Sequence, residues 1–358
     1  MAKNKNMIAA KKAKNDEFYT QLSDISAELT HQEYLNEFRG KWIYCNCDNP
    51  EISQFYRFFV LYFQQLGLSR LTCTYLAGTS GSKNPVAYRY DIYGDLNGNG
   101  VIDDGDIEIT QLSGNGSFDS PECLEILQAC DVVVTNPPFS LFRPYLDLLM
   151  GNGKKFAIIA NKNSITYKET FKYIKSEKIW LGYSKPGEFM TPSGKLSTNL
   201  TGLTLWWTNV DLQKRHQPLL LCKSFSQQDY PVYDNYCAFN VNKVVDIPKD
   251  EYIEIEIPDE DYEFWKNTYG DDLEILSEGG GERKMIRIFH PYYGVPITYL
   301  GYHCSDQFKI HDQSNRYLTL DIFNVNQFIM NRKSHGCNIH GKSVYLRLII
   351  RQIYENKN

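Results

Sequence analysis

An apolar run, Val132-Val133-Val134-Thr135, stops at Asn136-Pro137-Pro138-Phe139 before apolar residues resume. Proline donates no backbone hydrogen bond and disfavours helical geometry in the residue before it. Thr135-Asn136-Pro137-Pro138 is therefore a stiff, extended tip at a strand end. Such a tip is either an ordinary turn or a device that holds a few polar atoms still for a ligand. For a planar base carrying an exocyclic amine the chemistry is specific. The Asn136 side-chain oxygen and the Pro137 carbonyl are two fixed acceptors that can hold both hydrogens of one NH2 group. The nitrogen lone pair then turns out of the ring plane towards an electrophile, and Phe139 offers a stacking face. The amine itself is the nucleophile, so position and electrostatics carry the reaction.

Elements that would place this tip are legible on both sides of it. Lys41 to Cys47 reads as a buried strand, with Cys45 and Cys47 pointing the same way. Phe55, Phe58, Phe59, Tyr62, Phe63 and Leu66 recur at helical spacing, and Gly67 ends that helix. Arg70 to Leu76 is a second strand. Ser120-Pro121 predicts a helix start, with the hydroxyl as cap and proline at the first helical position, leading through Cys130 into the strand before the tip. Helix Leu141 to Met150, strand Lys155 to Ala160, helix Tyr167 to Lys175 and strands near Ile179–Leu181 and Leu203–Trp207 continue the alternation. This pattern predicts an α/β fold, a doubly wound and mostly parallel sheet covered on both faces. Ligands in such sheets sit beyond the carboxyl ends of the strands, where Asn136 and Cys47-Asp48 both fall.

At 358 residues, with 42% hydrophobic and 23% charged residues, the chain can bury one large core or two ordinary ones. No apolar run is long enough to cross a bilayer. The start, with five lysines in its first 14 residues, lacks the apolar core of a secretory signal. It reads as a basic tail over 1–15, either frayed or touching a polyanion. Nine cysteines without a regular spacing read as reduced thiols, which fits the cytoplasm. The net charge of −5 hides strong segregation: −8 over residues 84–130, +8 over 141–224, −12 over 246–282 and +7 over 283–358. A basic cleft can therefore exist on an acidic protein.

The Asn-Pro-Pro-Phe tip is the motif of amino-methyltransferases that use S-adenosylmethionine, and the chain resembles the EcoRI-type adenine-specific DNA methyltransferases. The resemblance runs through residues 16–21, 44–50, the strand-to-helix stretch 132–145, 161–169, 205–216, 233–248, 294–300, 306–310 and 341–351. It implies a Rossmann-like methyltransferase sheet with a C-terminal DNA-recognition module. The implied activity is that of a monomeric enzyme methylating adenine at its exocyclic nitrogen in double-stranded DNA, as the modification half of a restriction-modification system. Its restriction endonuclease would act separately on the same site. Carried over by position, Asn136, Pro137, Pro138 and Phe139 form the catalytic tip. Phe18, Tyr19 and Thr20 close over the methionine end of the cofactor, and Cys47, Asp48 and Asn49 lie under its amino-acid portion. Many related methyltransferases have a Gly-rich loop after the first strand; here Asp48-Asn49-Pro50-Glu51 stands instead, as in the EcoRI type. Where the family tends to have Gly-Asp-Gly-Asp-Phe, the chain reads Gly114-Asn115-Gly116-Ser117-Phe118, so Asn115 and Phe118 would take the adenosine.

By this reading the methyltransferase domain spans 16–210, with an Asp/Gly-rich insertion at 77–118, and the target-recognition region spans 211–358. In the insertion, Asp95 to Asp106 has the oxygen spacing of a calcium loop, yet its flanks alternate like strands, and a solvated hairpin tip fits as well. The transfer itself needs no metal. Lys214, Arg215 and His216, and Arg332 with Lys333, are candidate phosphate contacts, each equally readable as solvated surface charge. Arg347 and Arg351 sit on either a helical face or a final strand. Tyr233 to Tyr236 stack on displaced bases or belong to the core. Two competing readings are amino-methylation of RNA or of a protein glutamine, and a DNA-binding regulator with a decayed cofactor pocket.

Overall fold

The computed structural model describes residues 19–78, 86–190, 196–197, 201–223, 225–226, 229–233, 236–248, 250–278, 283–289, 292–313, 338–339, 342–343 and 347–353. The 1–15 tail, Phe18, Arg332 and Lys333 lie outside the described residues. The chain divides into two compact units, one running to Leu212 and one from Gln213 onward, with residues 175–177 grouped with the second.

In the first unit, β1 (Tyr19–Thr20), α1 (Leu22–Leu29) and α2 (Gln32–Phe38) precede β2 (Trp42–Cys45), α3 (Gln54–Leu66) and β3 (Arg70–Thr74). Strands β4 (Tyr88–Ile92) and β5 (Ile107–Gln111) follow, then α4 (Pro121–Ala129), β6 (Val132–Thr135), α5 (Phe142–Gly151) and β7 (Lys155–Asn161). Helix α6 (Lys168–Lys175) and strands β8 (Trp180–Leu181), β9 (Phe189–Met190), β10 (Leu196–Ser197) and β11 (Thr204–Thr208) complete it. Eight strands form one sheet in the order β5-β4-β3-β2-β6-β7-β11-β8. The four central strands, β3-β2-β6-β7, are parallel as their helix-separated spacing requires. Both flanks are antiparallel, so the sheet is mixed rather than mostly parallel throughout. The chain winds from β2 to β3 on one side and resumes at β6 on the other, which opens a crevice between the ends of β2 and β6.

Strand alternation assigns the two faces. Ile43, Cys45, Leu71, Cys73, Val132, Val134, Ala157 and Ile159 pack with α1, α2 and α3 in one buried cluster. On the other face the Cys123 thiol of α4 meets Thr74 Oγ1 at 3.6 Å, and Trp207 Nε1 donates to Ser164 Oγ at 2.8 Å. Helix α3 begins where Ser53 Oγ accepts from the Phe55 and Tyr56 N–H groups and ends at Gly67, which takes the left-handed φ of 63° that ends helices.

Two local expectations change, and one open alternative is decided. The first strand ends at Cys45, so Cys47 lies in the following turn and does not share Cys45's place in the core. Ser120 precedes α4 but its hydroxyl makes no cap hydrogen bond. Instead Glu122 in the first turn accepts from Ser113 N–H and Gly114 N–H at 2.9 and 2.7 Å, tying the helix to the segment before it. Within the insertion β4 and β5 extend the sheet as a hairpin, Ile92 opposite Ile107. At its tip Asp95 accepts from the N–H groups of Gly98, Asn99 and Gly100, and Asp106 from those of Leu96, Asn97 and Asp103. Among the described residues no group of three or more His, Cys, Asp or Glu is placed to hold a metal ion.

The second unit holds β12 (Val232–Tyr233), β13 (Tyr236–Asn240), β14 (Tyr252–Pro258), α7 (Tyr262–Tyr269), β15 (Leu273–Glu278), β16 (Arg283–Phe289) and β17 (Tyr292–Pro296). Strands β18 (Phe308–Gln313), β19 (Asn338–Ile339), β20 (Lys342–Ser343) and β21 (Arg347–Gln352) follow. A five-stranded sheet, β12-β13-β17-β21-β18, contains the Arg347–Arg351 segment as a strand, not a helix. Tyr233 belongs to the core, its hydroxyl donating to Asn240 Oδ1 at 2.7 Å. In the three-stranded sheet β14-β16-β15, Ile253, Ile257, Ile286 and Ile288 are buried. On its open face Arg287 pairs with Glu254 at 2.7 Å and Glu274 at 3.3 Å, so part of the acidic 246–282 stretch is the solvent side of a sheet. Among the described residues no helix is long and apolar enough to cross a membrane.

Candidate active site

The turns leaving β2 and β6 face a cleft that holds ≈ 840 Å³ of space, its open mouth included. Its walls come from Asn46 to Asn49 after β2, the start of α3 at Ser53 to Phe55, Tyr75 and Leu76 after β3, and Gly116 to Phe118. Tyr19 and Thr20 close one side, and Asn136, Pro137, Pro138 and Leu141 another.

Asp48 is the buried charge of this cleft, only 6% exposed. Its Oδ1 accepts from Ser53 Oγ at 2.7 Å and its Oδ2 from Thr135 Oγ1 at 2.5 Å. Burial pushes its carboxyl up to about 6, while the two hydroxyls pull the other way. On either side of it stand two amides with one end fixed. Tyr145 of α5 donates its hydroxyl to Asn46 Oδ1, and Glu51 N–H donates to Asn49 Oδ1 at 3.1 Å. The Nδ2 groups of both asparagines, and Thr20 Oγ1, are buried without a hydrogen-bond partner among the described residues. A buried donor without an acceptor costs about 1–3 kcal/mol, so these atoms fit a ligand that brings acceptors.

The tip keeps the stiffness read from its prolines. Pro138's carbonyl accepts from Leu141 N–H at 2.9 Å, which closes a short turn over Phe139–Leu141 and starts α5. Phe139 is half-buried against the core and is not part of the cleft wall, whereas Asn136, Pro137 and Pro138 are. Asn115 also stands outside the wall. Its side-chain oxygen accepts from Ser117 N–H at 3.0 Å and its carbonyl from Ala77 N–H at 2.9 Å, so it shapes the loop. That loop brings Gly116 against the Tyr75 carbonyl at φ 74°, leaving no room for a Cβ, and sets Phe118 edge-on to Tyr145 at 5.0 Å.

Tyr19 and Thr20 reach the cleft through an antiparallel pairing with β9. The segment before β9 is anchored by α1: the buried Glu28 accepts from Tyr183 N–H, Ser184 N–H, Ser184 Oγ and Tyr34 OH, and Asp24 from Gly187 N–H. In the second unit Lys214, Arg215 and His216 form a short turn, with Lys214 Nζ donating to Gly301's carbonyl at 3.3 Å and His216 Nδ1 3.8 Å from Asp306. His303 lies close enough to Arg215 that this charge, after burial, helps depress its pKa to about 4.

The cleft thus gathers Tyr19, Thr20, Cys47, Asp48, Asn49, Phe118, Asn136, Pro137 and Pro138 from segments far apart in sequence. Sequence reasoning missed Asn46, Ser53, Gln54, Phe55, Tyr75, Leu76, Gly116, Ser117 and Leu141. Ser53 carried a usable signal, a serine just before an apolar helical repeat. Asn46 carried none, because its role depends on Tyr145, 99 residues away.

Comparison with known proteins agrees with this geometry. The family model described as adenine-specific methyltransferase EcoRI matches residues 6–287. The type II methyltransferase M.EcoRI of Escherichia coli is 42% identical over 271 residues, covering 70% of this chain and 82% of that protein. M.MpnI of Mycoplasma pneumoniae is 33% identical and M.MgeORF184P of Mycoplasma genitalium 30% identical, each over 96% of this chain and 97% of its own. No solved structure gives a significant match. The chain belongs to the EcoRI family of adenine-specific methyltransferases.

Proposed function

We propose that this enzyme transfers a methyl group from S-adenosylmethionine to the exocyclic nitrogen of one adenine within a specific duplex sequence, as the modification enzyme of a restriction-modification system. S-adenosylmethionine, when bound, supplies the electrophilic methyl group. Asn46 Nδ2 and Asn49 Nδ2 would take its carboxylate. Asp48 and Thr20 would meet its ammonium end, and Phe118 its adenosine. Asn136 Oδ1 and the Pro137 carbonyl would hold the two hydrogens of the target amine, with Phe139 offering its exposed side to the base.

The observation that carries the reading is the meeting of the Asn-Pro-Pro tip with unsatisfied amide donors in one cleft. An adenine amine inside a duplex is out of reach of any cleft, so the nucleotide must leave the stack. The second unit would grip the phosphates, with Lys214, Arg215 and His216 and also Arg332 and Lys333 as the contacts proposed. A monomer suffices on this account, and the cognate endonuclease acts separately.

Purified protein incubated with labelled S-adenosylmethionine and duplex DNA, RNA or cell extract tests the reading. Label on adenine at one repeated DNA sequence is expected. Label confined to RNA or protein, or DNA binding without any transfer, would replace it with one of the two competing readings.

A further inference from the structure

We propose that Thr135 is a positioning residue for the amine-gripping tip, and that the buried Asp48 carboxylate is the acceptor that sets it. This rests on the adenine-methyltransferase reading and adds a residue which that reading does not use. Thr135 ends β6, is fully buried and directly precedes Asn136. On one side β6 is paired through its whole length, Thr135 lying opposite Ile158 of β7. On the other side its pairing with β2 stops at Tyr44 opposite Val133. Beyond that rung the two strand ends part at the crevice. The hydrogen bond from Thr135 Oγ1 to Asp48 Oδ2 at 2.5 Å bridges them there.

Asp48's second oxygen takes the Ser53 hydroxyl, which itself caps α3. One carboxylate thus joins the turn after β2, the start of α3 and the last residue before the tip. Prolines stiffen the tip within itself; this bridge sets where the stiff piece stands relative to the cleft floor. An amine gripped a fraction of an ångström out of line loses rate without losing affinity.

The bridge depends on charge. An ionised Asp48 accepts both hydroxyls in charge-assisted bonds, and protonation weakens them to neutral bonds or reverses one of them. Other titratable groups facing it are Cys45 from β2, Cys73 from β3 and Tyr145 from α5. Burial pushes Cys45, Cys73 and Tyr145 up, so those three remain protonated while Asp48 titrates near 6.

Thr135→Val keeps the side chain's shape and removes only the donor. Its single-turnover methylation rate on duplex DNA is expected to fall about tenfold or more, with duplex and cofactor dissociation constants within about threefold of wild type. Thr135→Ser restores most of the rate. Wild-type rate should decline on the acid side of pH 6, and that limb should flatten in Thr135→Val and in Asp48→Asn, where no charge-dependent bridge remains to break. A Thr135→Val rate within about twofold of wild type, a loss that serine does not restore, or an unchanged acid limb would each overturn the proposal. Should Thr135→Val fail to fold, Thr135→Ala is measured in its place against the same limits, with Thr135→Ser as the rescue. A wild-type enzyme that transfers no methyl group to DNA would instead refute the underlying reading.

Discussion

The turns that follow β2 and β6 stand side by side at the same end of the sheet, yet they are made rigid by different means. After β6 the stiffness is covalent: two consecutive prolines fix the backbone before any neighbour acts on it. After β2 a single proline, Pro50, follows three polar residues and a cysteine, and the turn is held by hydrogen bonds from elsewhere, Tyr145 to Asn46, Ser53 and Thr135 to Asp48. A covalently stiff turn presents the same atoms whether or not a ligand is bound. A turn held by buried polar bonds is sensitive to charge and to single atoms on other elements. The first suits a grip on a nucleotide that arrives only transiently, the second a seat for a cofactor that carries its own charges.

Substitutions in the two turns should therefore fail differently. Asn136→Ala is expected to lower the methylation rate by about 10²–10³-fold while duplex affinity stays near wild type, because one of two acceptors of the reacting amine is gone and nothing else moves. A rate near wild type would show that the tip does not grip the amine.

The charge of the other turn appears in stability. Asp48's carboxyl is raised in the folded state from 3.8 to about 6. A raised value means that the folded protein binds the proton more tightly than the unfolded chain. The resulting stabilisation is complete below the unfolded value and is lost as pH rises through about 6. The shift corresponds to roughly 3 kcal/mol across that window. Denaturant unfolding of wild type and Asp48→Asn at pH 4 and pH 7 should differ in this slope, wild type losing stability relative to the variant as pH rises. Parallel slopes would place the carboxyl in water.

Asn46→Asp puts a like charge where a carboxylate would be received, and cofactor affinity measured by calorimetry should fall about 10–100-fold. The smallest effect belongs to Tyr145→Phe, which frees Asn46 to rotate: a loss of about threefold to tenfold in cofactor affinity with a small change in transfer rate. If Tyr145→Phe harmed the rate more than the affinity, the division of labour between the two turns would be wrong.

The same contrast explains what the sequence could tell. Covalent stiffness is local, so the Val-Val-Val-Thr strand, the Asn-Pro-Pro turn and the alternation of strand and helix around them were readable from neighbouring residues alone. Asp48 was placed at the cleft by its position after a strand, and Asn49 by the family resemblance. Their partners were not readable, because Asp48 meets Thr135 across 87 residues and Asn46 meets Tyr145 across 99. Local rules also overreached. The alternation that put Cys47 beside Cys45 ignored the end of the strand at Cys45. Ser120 has a cap residue's place but Glu122 does the tying, and Asn115 turns inward to its own loop because its neighbour Gly116 must approach the Tyr75 carbonyl. In the second unit the Arg347–Arg351 spacing fitted a helix and a strand equally, and only pairing with β17 and β18 decided for the strand.

A crystal structure with a cognate duplex and a sulfonium analogue that cannot transfer its methyl group tests the central claim most directly. The account predicts an extruded adenine whose amine lies within hydrogen-bonding distance of both Asn136 Oδ1 and the Pro137 carbonyl, with Thr135 still bonded to Asp48. An extruded base held elsewhere, with the tip remote from its amine, would contradict it.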